Sequence, residues 1–214
     1  MVTAYPYAKR VTSYAQVWLG LTLGWGVLLG AAMADFDVLE RLVVLRGGSV
    51  GLTIDSRTQG ALALYAAYIV WTVIYDTIYA FQDVKGDKEV GVNSMALRLG
   101  NYAKPVLGCL ALLEVVLLAC VGGHMLEAQR AGKKGLFSVS RAVWPYTYCA
   151  LLPSGLIHSI MLVKVDLASP KSCAYWFKFT SIAIGFSMAL GFVLQYVVWV
   201  CIIDVGYYSF VKTG

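Results

Sequence analysis

The segment ALALYAAYIVWTVIYDTIYAFQDVKGDKEVG (residues 61–91) runs from an almost unbroken apolar stretch, Ala61–Ala80, into a short polar one holding Asp83, Lys85, Asp87, Lys88 and Glu89. A helix that crosses a bilayer needs roughly 20 predominantly apolar residues. Runs of that kind recur at Tyr14–Ala34, Ala103–Gly123, Val143–Val165 and Phe179–Ile203. In lipid each backbone polar group must find its partner within the structure, and these runs are too long for barrel strands. The sequence therefore predicts an all-α membrane protein, a transmembrane bundle of about five spans forming a single domain over residues 1–214.

Composition agrees. The chain has 214 residues, of which 59% are hydrophobic and 14% charged, whereas soluble domains average about 45–50% and about 25%. The net charge of +5 fits lysines and arginines flanking spans. No basic cluster is interleaved with stacking aromatics, which argues against a nucleic-acid partner. Cys109, Cys120, Cys149, Cys173 and Cys201 show no metal or CxxC spacing, and read as small buried hydrophobes. His124 and His158 each read as a solitary structural residue, too far apart in sequence to suggest a shared metal.

The connectors say less. Residues 1–18 are basic and rich in hydroxyls, but an apolar run follows at once, so they read as the continuation of something upstream. The connector after the fourth run, KVDLASPKSCAYWFK, carries Pro170 and an aromatic pair suited to the headgroup layer. With sides assigned alternately, nine Lys/Arg fall on the side of Asp83 and eight on the other, so positive charge does not orient the chain.

Asp76, Asp83 and Asp87 are spaced seven and four apart. A helix turns about 100° per residue. If one helix continued past the membrane boundary, the three carboxylates would fall within roughly 40° of each other, with Tyr79 near the same face; Gly86 makes the continuation uncertain. A divalent cation would relieve their repulsion. Hard oxygen ligands suit Mg²⁺, which takes only one or two protein carboxylates and completes its shell with water and substrate phosphate. The pattern thus points to a diphosphate partner, with Lys85, Lys88 and Arg98 near enough in sequence to balance its charge. The same residues also fit the solvated end of a membrane helix. Asp76 is the more telling, because ionisable residues inside an apolar run usually face a cavity.

The string D-x-x-Y-A-x-x-D-x-x-x-D, here Asp76, Tyr79, Ala80, Asp83 and Asp87, resembles the second aspartate-rich motif of the UbiA superfamily of intramembrane prenyltransferases. WTVIYDTIYAFQD, GVNSMALRLG, YPYAKR and VDLASPKSCAYWFK resemble the 4-hydroxybenzoate polyprenyltransferase branch. The resemblance implies Mg²⁺-dependent transfer of a prenyl group from a prenyl diphosphate to an aromatic acceptor such as 4-hydroxybenzoate or a related phenol. It implies service in ubiquinone or meroterpenoid (terpenoid) biosynthesis, in the mitochondrial inner membrane or another intracellular membrane. By motif match Asp83 and Asp87 are the metal carboxylates, Asp76 and Tyr79 the catalytic support, and Lys9 and Arg10 the family's basic pair facing the diphosphate, to which Lys85 and Arg98 add as contacts by their nearness to the aspartates.

The chain also departs from that family. The first motif, N-D-x-x-D, is absent, and Asn93 stands where the branch usually has lysine. The family implies about nine helices, so the chain reads as an amino-terminally truncated portion supplying the last five, complete as a catalyst only with the preceding helices. The alternative is an inactive membrane protein that binds prenyl diphosphate weakly or associates with a full-length relative. A transporter or channel subunit would explain the spans and Asp76, but not the motif.

Overall fold

The computed structural model describes residues 12, 14–34, 38, 55–91, 94–132 and 143–213, and these form helices without a strand among them. The helices are α1 (Ala15–Met33), α2 (Ser56–Ala80), α3 (Val84–Val90), α4 (Met95–Leu99), α5 (Ala103–Gly132), α6 (Trp144–Tyr146), α7 (Leu152–Lys164) and α8 (Pro170–Thr213). A 3₁₀ turn (Gly100–Tyr102) joins α4 to α5, and a π turn (Thr147–Leu151) joins α6 to α7. Among the described residues five stretches are long and apolar enough to cross a membrane: Ala15–Met33, Ser56–Ala80, Met95–Glu127, Trp144–Lys164 and Pro170–Cys201. The protein is an integral membrane helical bundle.

Three of these spans start earlier than hydropathy suggests, at Ser56, Met95 and Pro170. The polar first turn of α2, Ser56–Gln59, follows Asp55 in an extended N-cap conformation; the Gln59 N–H donates to the Asp55 carbonyl at 3.0 Å, and the Asp55 carboxylate accepts the Thr58 hydroxyl. Helix α8 begins at Pro170, nine positions before Phe179. Proline suits the first helical position, and Ser169 Oγ accepts the Ser172 N–H at 3.4 Å. The aromatic pair therefore lies inside a helix, with Tyr175 exposed and Trp176 buried. The π turn directly precedes Pro153. Proline has no N–H and its ring crowds the carbonyl four residues back, and a widened turn is a common way to absorb both defects.

Central α2 packs on α1, α5 and α8. Buried positions on α5 (Ala103, Leu107, Ala111, Glu114, Leu118, Val121) and α8 (Cys173, Trp176, Thr180, Ile184, Met188) recur every three or four residues, the period of one helix face. They form two apolar clusters, one around Trp71, Leu118, Tyr146 and Ile184, the other around Ile74, Leu107, Met161 and Trp176. The cysteines depart from expectation: Cys173 is buried, but Cys109, Cys120 and Cys201 are exposed on the bundle exterior. In a bilayer a small apolar side chain suits the lipid face as well as the core, so hydrophobicity does not tell the two apart.

Small residues allow close approach between membrane helices. A Cβ on Gly20 would stand 3.0 Å from the Ile69 Cα and carbonyl oxygen, and one on Gly24 would stand 2.7 Å from the Tyr65 ring. The Tyr65 hydroxyl donates to the Leu21 carbonyl at 3.0 Å across the same contact. Gly20→Val is expected to push α1 off α2 and cost about 1–3 kcal/mol, read as a lower melting temperature in detergent. Gly26→Ala, which meets nothing within 4 Å, should be neutral or slightly stabilising. Equal effects from the two changes would show that the close contact is not what matters.

Candidate active site

Helix α2 does not continue through the aspartates. It ends at Ala80, residues 81–83 turn, and α3 begins at Val84 with Asp83 as its N-cap. The single carboxylate stripe expected of an unbroken helix is thus divided. Asp76 and Tyr79 stand one turn apart on α2, while Asp83 and Asp87 occupy the first turn of α3. The Asp87 N–H donates to the Asp83 carbonyl at 2.8 Å. Gly86 lies within α3, and the break is upstream of it. At the other end of α3, Gly91 takes a left-handed φ of 72°, which glycine adopts without a Cβ clash, and the chain turns back toward α4.

Asp83 is exposed, and Asp87 and Asp76 are half-buried. Among the described residues no three His, Cys, Asp or Glu side chains converge on a point. Two carboxylates four residues apart at a helix start nevertheless fit what Mg²⁺ asks of a protein, one or two hard oxygen donors with open positions left over. The fit concerns the donor set; the remaining ligands would come from water, phosphate or another part of the protein.

Tyr79 is 40% exposed, and its ring lies 4.9 Å from that of Phe177 on α8. From there a run of rings descends α2 into the membrane: Phe177–Tyr75 at 5.8 Å, Tyr75–Trp71 at 5.4 Å and Trp71–Tyr68 at 5.2 Å. Spacings of three and four place Tyr68, Trp71, Tyr75 and Tyr79 on one side of the helix. Gly185 lets α8 come close, since a Cβ there would sit 3.2 Å from the Trp71 indole. A wall of aromatic faces thus leads away from the aspartates.

The basic candidates are dispersed. Arg98 on α4 stacks over the Tyr14 ring at 5.1 Å, a cation–π contact tying α4 to the start of α1. Lys85 is two positions from both Asp83 and Asp87, about 200° around a helix, and lines a separate cavity that includes neither. Lys9 and Arg10, like Asn93, lie outside the described residues.

Two polar sites were not expected from the sequence. Glu114 on α5 is fully buried, with Ser154 Oγ donating to its Oε1 at 2.8 Å and His158 Nδ1 lying 3.2 Å from its Oε2. The His158 contact is out of line for a hydrogen bond. A glutamate inside the most apolar run, together with Ser154 and His158 at i, i+4, was the available signal. At the other end of the bundle Ser56 Oγ donates to Glu127 Oε2 at 2.7 Å and lies 3.0 Å from His124 Nδ1. Both histidines therefore have a carboxylate neighbour: Glu114 and His158 join α5 to α7, whereas Glu127 lies on the same helix as His124 and Ser56 ties that pair to α2.

Residues 1–190 match the family model described as the UbiA prenyltransferase family. The chain is 35% identical over 179 residues to the mitochondrial 4-hydroxybenzoate polyprenyltransferase of Schizosaccharomyces pombe, covering 83% of this chain and 41% of that protein. It is 33% identical over 193 residues to 4-hydroxybenzoate geranyltransferase 2 of Lithospermum erythrorhizon, covering 86% and 52%. It is 32% identical over 192 residues to the UbiA prenyltransferase claS of Ampulloclitocybe clavipes, covering 90% and 50%. The chain spans about half the length of these curated relatives. No solved structure matches it significantly. With residues 1–190 of its 214 matched to the family model, the chain belongs to the UbiA prenyltransferase family.

Proposed function

We propose that this chain forms the second half of a Mg²⁺-dependent aromatic prenyltransferase that moves a prenyl group from a prenyl diphosphate to 4-hydroxybenzoate or a related phenol. The observation carrying this reading is the placement of Asp83 and Asp87 one turn apart at the mouth of the bundle, above an aromatic wall that runs into the membrane. Similarity to two proteins named for 4-hydroxybenzoate prenylation supports the acceptor class, and the name of the first supports a mitochondrial membrane.

Asp83 and Asp87 would hold the metal through their carboxylates. When bound, Mg²⁺ supplies Lewis acidity toward the negative charge that develops on a departing diphosphate. Asp76, half-buried one helical turn into the membrane from Tyr79, would support the site from α2. The rings of Tyr79 and Tyr75 carry the quadrupole that attracts cations and would favour positive charge growing on the allylic fragment, with buried Trp71 packed edge-on behind Tyr75. Packing of Phe177 and Gly185 against these rings keeps that side of the path free of water, which would otherwise capture the cation.

The test joins this chain in frame to the amino-terminal half of the Schizosaccharomyces pombe relative. Membranes holding the chimera, labelled prenyl diphosphate, 4-hydroxybenzoate and Mg²⁺ should yield prenylated hydroxybenzoate, and chelation should stop it. The chain expressed by itself should give none, since it lacks an N-D-x-x-D motif. A chimera that inserts stably yet makes no product would overturn the reading.

A further inference from the structure

At the aspartate end of the bundle a cavity of about 560 Å³ lies between α3, α4, the start of α5 and the α7–α8 connector. That volume falls within the range of small-molecule sites, about 300–1,000 Å³. Its polar lining is Gln82, Lys85, Asn101 and Lys104, set among apolar residues that include Phe81 and Leu167. Among the described residues no carboxylate lines it, and Asp76, Asp83 and Asp87 are all absent from it. Gln82 contributes to the wall, but its Nε2 is itself buried out of reach of the cavity space.

The neighbouring groups reinforce that polarity. Asp166, the acid of the connector, turns into its own loop, where its Oδ1 accepts the Ala168 N–H at 3.0 Å. Pro170 in the cavity wall is the first residue of the 44-residue α8, so the positive end of that helix dipole faces the same region. Cations and an amide donor without an opposing acid select an anion. Mg²⁺ and cationic ligands find no oxygen cage here.

Height in the membrane narrows the anion. Ala80 ends one span, Lys164 ends another and Pro170 opens a third, so the cavity sits where spans give way to the phosphate layer of the bilayer. We propose that it is a phosphate-binding site at the membrane surface, separate from the aspartates, with Lys85 and Lys104 pairing the phosphate oxygens and Asn101 supplying an amide contact. Apolar walls beside the lysines suit the glycerol and upper acyl carbons of an anionic phospholipid. Free phosphate or diphosphate would satisfy the same donors. This inference stands independently of the proposed prenyl transfer.

The test uses the full chain in phosphatidylcholine nanodiscs containing spin-labelled phosphatidic acid or spin-labelled phosphatidylcholine, with chelator present so that metal held by the aspartates is silent. Phosphatidic acid should be immobilised about tenfold more tightly than phosphatidylcholine. Joint Lys85→Gln and Lys104→Gln substitution should erase that preference, since charge-assisted contacts are the stronger ones. Lys88→Gln, an exposed lysine on α3 outside the lining, and Asp87→Asn should keep it. Displacement of the lipid by millimolar inorganic phosphate or diphosphate would identify free phosphate as a source the site accepts; retention of the lipid would assign it to headgroups. No preference for phosphatidic acid, an unchanged preference in the double variant, or an equal loss in Lys88→Gln would each overturn the site.

Discussion

Asp87→Ala, placed in the chimera that carries the family's amino-terminal half, is expected to lower prenyl transfer by about three orders of magnitude, because metal stabilisation of a leaving group is worth several kcal/mol. Asp83→Ala should do the same. Both residues are outside the buried core and neither is wholly enclosed, so the variants should melt like the parent. Asp87→Asn keeps the shape and removes the charge; it should bind Mg²⁺ far more weakly, with part of the loss recovered at high metal concentration. The check is initial rate against Mg²⁺ concentration. Undiminished turnover in Asp83→Ala or Asp87→Ala would remove these residues from the metal role, while a loss that tracks a falling melting temperature would mark them as structural.

Glu114→Ala is expected to have the largest effect on stability, about 2–4 kcal/mol, seen as a sharp drop in melting temperature. The change leaves a cavity and strips the Ser154 hydroxyl and the His158 ring of their neighbour in a layer where neither touches water. That layer lies between the two apolar clusters, flanked by Ala111 and Leu118 on α5, by Ala150 in the π turn and by Met161 on α7. Replacing all three residues by apolar ones of similar volume, Glu114→Leu, Ser154→Ala and His158→Leu, should cost much less than the single change or even stabilise, because no polar group is then stranded. If the triple variant melts as low as Glu114→Ala, the layer acts through packing and not through its polar contacts.

The aspartates illustrate how far local sequence reaches. The spacing of Asp83 and Asp87 survives in the structure because both lie in one short turn of chain, where four residues make about one helical turn. Asp76 does not remain on the same stripe, since the turn at residues 81–83 redirects the chain. Nothing in a helical wheel registers such a turn. The basic residues show the same limit. Lys85 and Arg98 are near the aspartates in sequence, yet one faces a separate cavity and the other rests on Tyr14, because side-chain direction depends on which helix packs on which. His158 was unreadable alone: its partner Glu114 is 44 positions away and on another helix.

The sequence by itself determined the solvent, the five spans and the family. Apolar runs of bilayer length can satisfy their backbone only as helices, and a motif of five matched positions is local enough to be read directly. Tertiary structure decided what the helices share: the close seat of α1 on α2 at Gly20 and Gly24, the buried Glu114 layer, the aromatic wall from Tyr79 to Tyr68 and the lysine-lined cavity. Each of these joins residues brought together by packing, whose free energy depends on distances between helices that no linear pattern contains.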